Sequence, residues 1–590
     1  MLRAVWILVG ALSAAGCGQA AHLHLMRGRE HLGTPRGART DKAAEAHATA
    51  AAAIAPPSCD DVKVKAYNHQ VCCANVKDVV EPETLETLAE TIRGTRGPLR
   101  VVANSHTSNE QICTDGVGIS MANFNRIHGF KRHNGVEYVD VDAGVRMSEL
   151  NRWLYEHGRS IGYTTIGYRG ISIGGGLATA AHGSSLRHPS VLSSRLEYAQ
   201  LVDAKGEVHE LWKPPAVPQA STARLRQAVF DPNAPTVDKY AGDRERFRAL
   251  SASVGMLGVI TRVGLRVEPR FNLDVNVEFI GDDVLFKKGV EKLVGDCDWG
   301  QLVWFPRAAR FMKVCGMRTM DEAQPSASNS LLAPHVDAGA IGAFKELMED
   351  TVANGAYFCF IESERYSQLK MYPPFVHDCC CKKKYDRHVI GPADLMMSSE
   401  LTEHQQQLAE IDYEIAIPLS EVPKALERVR AYAKDNRLCM PLIGAFLRFS
   451  PVDGTTLIGH SVTDEQAFKG EKVMFLEFVV YVLHEPETER ERAQQERDYY
   501  GKYRELAMQL VEYHHGRPHW AKNQTELFAK HREVDLAYAE RLKKFQCWVH
   551  KYDPDNRFAN AFTSRVGLTP RQSTSYADCA TTSDAKPDDE

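Results

Sequence analysis

The stretch from 170 to 185 constrains the fold of this 590-residue chain most strongly. It carries Gly174-Gly175-Gly176, then Thr179, and then His182-Gly183-Ser184-Ser185. Glycines let backbone N–H groups approach a large anionic ligand such as a pyrophosphate closely, and hydroxyls add further donors. The stretch has neither the GxxxxGK(S/T) spacing of a P-loop nor the GxGxxG spacing of a Rossmann turn. A different kind of anion-binding fold is therefore expected.

A second segment, residues 100 to 116, has the same character. In it a β-rich run leads into Ala103-Asn104-Ser105-His106-Thr107-Ser108 and then Thr114-Asp115-Gly116. From about residue 59 to 269, short helical patterns alternate with β-rich runs, and Lys205-Gly206 separates two such runs as a hairpin turn does. This part of the chain is predicted to be an α+β domain.

In order and content, these two segments and Ser253 to Thr261 resemble the FAD-contacting elements of the vanillyl-alcohol-oxidase superfamily. Within it they are similar to the L-gulonolactone, arabinonolactone and alditol oxidases. The resemblance implies a PCMH-type FAD-binding domain over residues 58–270, with Ser253 to Thr261 as a glycine-punctuated strand along the flavin ring. It assigns FAD binding to Asn104, Ser105, His106, Thr107, Ser172, Gly175, Gly176, Thr179, His182, Gly183, Ser184, Gly258, Val259 and Ile260.

His106 occupies the position at which this family links an imidazole covalently to the 8α-methyl group of the flavin. The resemblance therefore implies covalent FAD. The chain departs from the family here, because Asn104-Ser105 stand where glycines usually precede the histidine. The alternative for His106 is a loop histidine that only hydrogen-bonds, and His182 is expected to position backbone rather than to carry a second link.

Gly516 to Lys522 is the most specific motif in the chain. Oxidation of a hydroxyl-bearing carbon needs a proton acceptor and fixed positive charge, and the motif offers His519 and Lys522. It resembles the His-Trp-Gly-Lys or His-Trp-Ala-Lys element of sugar-lactone oxidases, which implies that Lys522 lies beside the flavin and the substrate hydroxyls. Its apolar setting predicts a lowered pKa for Lys522. The plain alternative is a helix start after Pro518.

Phe446-Leu447-Arg448-Phe449 resembles the family strand that normally reads Glu-x-Arg. Arg448 is thereby predicted to stabilise reduced flavin or to bind a substrate oxygen, whereas Phe446 cannot replace the acid. Glu477, a lone carboxylate in the apolar run 473–482, is the predicted replacement, and desolvation is expected to raise its pKa. A structural acid satisfied by a partner is the equally compatible alternative.

Residues 271–565 are predicted to form a substrate, or cap, domain with a mixed sheet and C-terminal helices. Tyr552 to Phe558 resembles the family's closing Phe-Asp-Pro-x-x-x-Phe, which packs on the flavin domain. The resemblance implies oxidation of a CH–OH group of an aldono-1,4-lactone or related polyol, with oxygen reduced to hydrogen peroxide. The alternatives are a dehydrogenase with a quinone or cytochrome acceptor and a non-catalytic surface binding protein, for which Phe446 is the best argument.

The charge pattern bears on the choice of partner. The formal net charge is −5, and acidic and basic residues are interleaved along most of the chain. A nucleic-acid surface needs concentrated Lys and Arg, so this pattern disfavours one. Small molecules are the expected partners.

The N-terminal twenty residues resemble an export signal, with Arg3 before an apolar run from 4 to 15 and small residues after it. Ala14-Ala15-Gly16-Cys17 also resembles a bacterial lipobox, and an uncleaved apolar anchor is a third alternative. Residues 21–57 are expected to be a disordered leader and 566–590 a disordered tail. The chain is therefore predicted to be secreted or extracytoplasmic, with membrane association under the second and third alternatives.

Fourteen cysteines fit an oxidising compartment, so disulfides are expected, although their pairing cannot be read from spacing. Cys379-Cys380-Cys381 follows His377 and Asp378. These five residues have metal-ligand chemistry, but a disulfide-bonded loop is the favoured interpretation. No metal site is predicted.

Overall fold

The structure is a computed structural model, and it describes residues 62–67, 71–164, 167, 170–215, 241–306, 309–324, 388–398, 410–438, 440–441, 444–452, 454–461, 472–481 and 489–570. The predicted export signal, the leader, most of the tail and the loop containing Cys379 to Cys381 lie outside these residues.

Short strands in the N-terminal part form three sheets. Their bounds are β1 Asp78–Val80, β2 Leu99–Val102, β3 Val117–Ser120, β4 Ile127–His133, β5 Val136–Asp142, β6 Arg159–Ser160, β7 Leu196–Val202, β8 Val208–Trp212, β9 Val259–Arg266 and β10 Glu268–Pro269. The orders are β1-β3-β2 with parallel pairs, and β4-β5-β9-β7-β8 and β10-β6 with antiparallel pairs. The hairpin predicted at Lys205-Gly206 is confirmed, because β7 and β8 pair from Val202 opposite Val208 outward.

The C-terminal part contributes one eight-stranded sheet in the order β14-β11-β13-β12-β16-β17-β15-β18. Its strands are β11 Asn272–Gly281, β12 Trp299–Phe305, β13 Arg310–Thr319, β14 His388–Pro392, β15 Glu410–Pro418, β16 Ala445–Pro451, β17 Lys472–Tyr481 and β18 Arg517–Pro518. The sequence predicts a mixed sheet here, and the described strand pairs are instead antiparallel throughout. Antiparallel neighbours bring alternate side chains of β15, β16 and β17 onto one shared face.

The described α-helices are α1 Leu85–Gly94, α2 Met147–Glu156, α3 Ile173–Ala178, α4 Ala241–Leu250, α5 Asp283–Lys288, α6 Glu291–Val294, α7 Ala393–Met397, α8 Val422–Asp435, α9 Glu489–Gln495, α10 Gly501–Tyr513, α11 Thr525–Val534, α12 Leu536–Tyr552 and α13 Ala561–Arg565. The apolar face predicted for α8 is confirmed, since Val422, Leu426 and Val429 are fully buried. Among the described helices, none combines the length and the hydropathy that crossing a bilayer requires.

The C-terminal helices divide between two hydrophobic cores. The core of the eight-stranded sheet includes α8 and α10, whereas Phe545 of α12 and Phe562 of α13 join the core that contains Val139 of β5 and Leu265 of β9. Phe558 packs with Leu99 in a further cluster on the N-terminal part. The predicted return of the closing motif to the flavin side is thus confirmed.

The segment Ser253 to Thr261 differs from its prediction as one strand. Val254, Gly255 and Gly258 have φ angles of 49°, 67° and 131°, so the chain turns here and β9 begins only at Val259. A side chain at Gly258 would place its Cβ 2.3 Å from the carbonyl oxygen of Val202. The glycine is therefore required by both the backbone conformation and the close approach of β7.

Candidate active site

A cleft in the N-terminal part brings the two glycine-rich and hydroxyl-rich segments together. Its volume is about 830 Å³, including the part that is open to solvent. The predicted cofactor-binding residues that line it are Asn104, Ser105, His106, Thr107, Ser172, Gly175, Thr179, Gly258 and Ile260. Segments far apart in sequence thus form one wall, as the sequence predicts.

The cleft wall suits a dinucleotide because part of it is bare backbone. A Cβ on Gly174 would lie 2.8 Å from the Cβ of Ala143, and one on Gly175 would lie 2.8 Å from Oγ of Ser172. Packing against these neighbours therefore requires glycine at both positions, and the wall here has no side chains. The helix α3 begins at this wall, where the Ser172 hydroxyl accepts a hydrogen bond from the Gly175 amide at 3.2 Å.

Arg100 adds positive charge to the same wall. It is buried, and its guanidinium donates to the carbonyl oxygens of Gln111 at 2.5 Å, Val254 at 2.6 Å and Phe558 at 2.7 Å. Burial lowers the pKa of Arg100 to about 10, which leaves it cationic at neutral pH. A fixed cation beside a glycine-lined wall fits the pyrophosphate of FAD.

The remaining predicted cofactor residues serve other contacts. Gly176 and Val259 lie in backbone hydrogen bonds of α3 and β9. His182 contacts Glu414 of β15, the Gly183 amide donates to Ser190 at 2.7 Å, and the Ser184 hydroxyl accepts from the Phe449 amide at 3.1 Å. The His-Gly-Ser stretch therefore joins the cleft to the eight-stranded sheet.

His106 lies at the cleft wall in a strained loop. The preceding Ser105 has a φ of 51°, the left-handed region that glycine adopts without cost. The imidazole of His106 stacks on the ring of Tyr67 with centroids 3.9 Å apart. Burial, followed by the positive charge of Lys522 and the neighbouring imidazole of His519, lowers the pKa of His106 well below its usual range. A neutral imidazole therefore faces the cleft.

Hydrogen bonds fasten this loop to the Gly516 to Lys522 motif. Ala521 accepts from the Thr107 hydroxyl at 3.0 Å and from the Ser108 amide at 2.7 Å. The Asn109 side-chain amide donates to the carbonyl oxygen of Trp520 at 2.7 Å. The most specific motif of the C-terminal part is thus held directly against the flavin loop.

The motif itself is a buried turn between β18 and α11. The His519 amide donates to the carbonyl oxygen of Glu414 at 3.0 Å, and Nδ1 of His519 accepts from the Ala521 amide at 3.1 Å. Burial lowers the pKa of His519 to about 3, so the ring is neutral. The Trp520 indole donates to Ile458 at 2.8 Å, which anchors the turn in the core.

Lys522 meets two carboxylates at the centre of the site. Its Nζ lies 3.1 Å from Oε2 of Glu414 and in contact with Oε1 of Glu477. The predicted lowering of its pKa is wrong. Burial does oppose the charge, but Glu414, Glu477 and Asp412 outweigh that penalty and raise the pKa of Lys522 above its usual range. The lysine is therefore a cation at neutral pH, and its side chain is 21% exposed.

Glu477 lies directly opposite Glu414 on one side and Phe446 on the other. Nη1 of Arg448 donates to its Oε2 at 2.6 Å. The predicted rise in its pKa is also wrong. Burial raises it, but the cations of Arg448 and Lys522 prevail and hold the pKa of Glu477 below its usual range. Glu477 is therefore ionised at neutral pH.

Three buried acids on β15 were not predicted. Glu410, Asp412 and Glu414 alternate along the strand, so their side chains share one face. The Tyr67 hydroxyl lies 2.5 Å from Oε1 of Glu410 and 2.9 Å from Oδ2 of Asp412. Burial and the neighbouring carboxylates raise the pKa of Glu410 well above its usual range. Burial raises the pKa of Asp412 to about 6, despite Lys522. The period-two spacing of acids was the missed indication.

Two protein families match the sequence. "FAD binding domain" matches residues 76–211, and "D-arabinono-1,4-lactone oxidase" matches residues 263–566. The first match covers the histidine loop and the glycine-rich segment from 170 to 185, and it identifies FAD as the cofactor. The second covers β15, β16, β17 and the motif that ends at Lys522.

Individual relatives agree with these matches. D-arabinono-1,4-lactone oxidase of Saccharomyces cerevisiae is 26% identical over 247 residues, 41% of each chain. The alignments thus span less than half of this yeast relative and of one from Eremothecium gossypii, where 42% of each chain aligns at 25% identity. L-gulono-1,4-lactone dehydrogenase of Mycobacterium tuberculosis is 24% identical over 502 residues, 84% of this chain and 97% of that protein.

Solved structures confirm the fold. Cholesterol oxidase from B. sterolicum superposes with a TM-score of 0.60 at 13% identity, covering 83% of this chain and 94% of that one. A solvent-stable cholesterol oxidase gives 0.61 at 12% identity. Because the lactone-oxidase match runs through the whole charged site and follows an FAD binding domain, the chain belongs to the D-arabinono-1,4-lactone oxidase family.

Proposed function

We propose that the protein oxidises a CH–OH group of an aldono-1,4-lactone or a related polyol to a carbonyl and passes the two electrons through FAD to oxygen, which becomes hydrogen peroxide. The observation that carries this proposal is the pair of cations, Lys522 and Arg448, held by Glu477 beside the histidine loop of the FAD cleft. Fixed positive charge at that place stabilises a substrate oxygen that is losing its proton.

The residues divide the work of the reaction. Bound FAD supplies the hydride acceptor. Lys522 and Arg448 donate hydrogen bonds to the reacting oxygen, and they stay charged because the buried carboxylates raise the pKa of both. Asp412, with a pKa of about 6, is the acid best matched to accept the hydroxyl proton near neutral pH. Neutral His519 holds the turn that carries Lys522.

The polarity of the site supports a polyhydroxylated substrate. Glu477 supplies the acceptor that Phe446 cannot, and it does so from the adjacent strand. A site with several ordered donors and acceptors selects substrates whose hydroxyls satisfy them, since buried polar groups left unpaired are costly. The same relocation weakens the case for a non-catalytic binding protein, because the acid is moved and not lost.

A dehydrogenase with a quinone or cytochrome acceptor is the second candidate. The mycobacterial relative aligned over 84% of this chain is named a dehydrogenase, which favours it. Anaerobic mixing with a panel of lactones and alditols tests the shared half-reaction, and bleaching of the flavin is expected. Formation of peroxide after air is readmitted supports the oxidase. If the reduced flavin is reoxidised slowly by air but rapidly by a quinone, the protein is a dehydrogenase instead. A flavin that no sugar reduces contradicts both.

We also propose that His106 carries FAD covalently. The neutral imidazole at the cleft wall supports this, because only the unprotonated ring is a nucleophile. Denaturing gels should show flavin fluorescence on the parent chain and none on His106→Ala. His188→Ala is the matched control, since His188 is a part-exposed histidine paired with Asp298. Fluorescence that survives in His106→Ala contradicts the link.

Export is proposed on the evidence of the cystine pairs. Cys73–Cys113 and Cys297–Cys315 are disulfides in the structure, and such bonds persist in oxidising compartments. Cell fractionation should place the protein outside the cytoplasm. Retention in the reducing cytoplasm with free thiols contradicts export, and recovery with the membrane fraction distinguishes the anchored alternatives from a cleaved signal.

A further inference from the structure

Four metal-ligating side chains meet next to Lys522 and Arg448, both of which lie close to Oε2 of Glu414. They are His182, Glu414, His460 and His519, each less than 6% exposed, and one ligand atom from each lies within 4.8 Å of the others. The chemistry proposed for the site gives His182 and His460 no task. Of this group, the sequence predicts His182 and His519 as site residues, but not Glu414 or His460.

His460 is the first reason to look for a ligand. Its side chain is 2% exposed, and neither Nδ1 nor Nε2 has a hydrogen-bond partner among the described residues. Both nitrogens of a buried imidazole left without partners cost desolvation free energy. The described protein atoms therefore provide no partner for the nitrogen lone pair of this ring.

The geometry of His182 is the second reason. Its Nδ1 lies 2.9 Å from the carbonyl oxygen of Gly183, so Nδ1 carries the proton. Its Nε2 therefore points a lone pair at Oε1 of Glu414, 2.8 Å away. Two acceptors this close need a cation between them, either a second proton or a metal ion. A histidine that donates Nδ1–H to a backbone carbonyl while Nε2 faces a carboxylate has the orientation typical of metal ligands.

We propose that His182, Glu414 and His460 bind a zinc ion, with a water molecule at the fourth position. Two imidazoles and one carboxylate with an open position are a common ligand set for Zn²⁺, at about 2.0–2.2 Å per bond. His519 is a neighbour of the ion and not a ligand, because its Nδ1 accepts from the Ala521 amide and its Nε2 therefore carries the proton.

The site has a structural consequence for Lys522. Glu414 uses Oε1 towards His182 and Oε2 towards Lys522, so the ion and the lysine share one carboxylate. Zinc at Oε1 fixes the orientation of Oε2, and through it the position of the Lys522 ammonium. The ion is thus a positioning element next to Lys522, and its presence does not depend on which substrate or acceptor the enzyme uses.

Zinc content of the flavin-loaded protein tests the proposal directly. The holoprotein is dialysed against a chelator, re-equilibrated with Zn²⁺, passed through gel filtration and assayed by elemental analysis. A single equivalent of zinc per chain is expected, and His460→Leu should lose it. His188→Ala should retain it, and so should His209→Ala in the separate group of Asp203, Glu207 and His209. Flavin content and melting temperature report folding, and His460→Gln replaces the leucine variant if that one fails to fold.

X-ray absorption at the zinc edge identifies the ligands. Nitrogen and oxygen scatterers at about 2.0–2.1 Å, with the histidine pattern, are expected. Sulfur scatterers, zinc content unchanged by His460→Leu, or zinc lost in His209→Ala each overturn the proposal. Failure to take up zinc means that His182 and Glu414 share a proton as a simple ion pair, and it leaves the proposed oxidation untouched, because anaerobic flavin reduction is measured separately.

Discussion

Glu477 lies directly opposite Phe446 on the adjacent antiparallel strand, and its carboxylate holds the guanidinium of Arg448 at 2.6 Å. The family strand normally provides this acid two residues before the arginine, at the position of Phe446. Directly opposite residues of paired strands have their Cβ atoms about 5 Å apart, so a carboxylate moved across the pair still reaches the same place. In this chain the carboxylate that pairs with Arg448 therefore comes from the adjacent strand, β17.

This relocation predicts the outcome of moving the acid back. Glu477→Gln should lower kcat/KM by about 30-fold, because a charge-assisted hydrogen bond worth about 2 kcal/mol is lost. The double variant Phe446→Glu, Glu477→Leu should recover part of that loss. Steady-state kinetics on the best lactone measure both. Equal activity of Glu477→Gln and the parent would show that the glutamate only balances charge.

Lys522→Met should lower kcat by about 10²- to 10³-fold while the flavin stays bound, since one fixed cation at the developing oxyanion is removed. Anaerobic stopped-flow reduction of the flavin measures the step. Lys543→Met is the control, because Lys543 is an exposed lysine of α12 paired with Glu540 and should behave as the parent. A change in KM alone, with kcat preserved, would assign Lys522 to binding and not to the transition state.

The pH dependence of flavin reduction should reflect the ionisation of Asp412. Its carboxyl must be ionised to accept a proton, so the rate of flavin reduction should fall as pH drops through about 6, the pKa to which burial raises it. Asp412→Asn should abolish most of the rate, and the residual rate should no longer fall as pH drops through about 6. The charged and titratable groups around it are Glu410, Glu477, Lys522 and Tyr67. If the rate of Asp412→Asn still falls through the same pH range, the titration belongs to another group.

Ser105→Gly should stabilise the folded protein by about 1 kcal/mol. Ser105 has a φ of 51°, a conformation that costs a residue with a Cβ about 1–2 kcal/mol and costs glycine almost nothing. The greater freedom of glycine in the unfolded chain offsets part of the gain. Thermal unfolding of the holoprotein measures it, with Ser108→Gly as the comparison in the same loop. A lower melting temperature for Ser105→Gly would mean that its side chain has a role beyond the turn.

The parts of the candidate site that are contiguous in the chain can be predicted from the sequence. The histidine loop, the glycine wall and the motif ending at Lys522 are each continuous, and their residue types fit one chemistry. The pKa shifts of Lys522 and Glu477 were predicted with the wrong sign. Each prediction treated one group in an apolar setting, whereas the fold places these opposite charges in contact.

The three acids of β15 were missed for a related reason. Their alternation is visible in Glu410-Ile411-Asp412-Tyr413-Glu414, but an exposed strand face would read the same way. Only the pairing with β17 and the contact with Tyr67 show that this face is buried. His460 likewise follows a loop whose path is set by tertiary contacts, such as that of Ile458 with Trp520.

The hydrogen bond from Thr107 to Ala521 joins positions 414 residues apart. During synthesis the N-terminal cleft leaves the ribosome long before the segment that closes its histidine loop. The finished cofactor site therefore cannot exist until almost the whole chain is made. Flavin binding at the complete site is consequently a late step in the maturation of the protein. A chain that is exported unfolded would have to bind FAD after export.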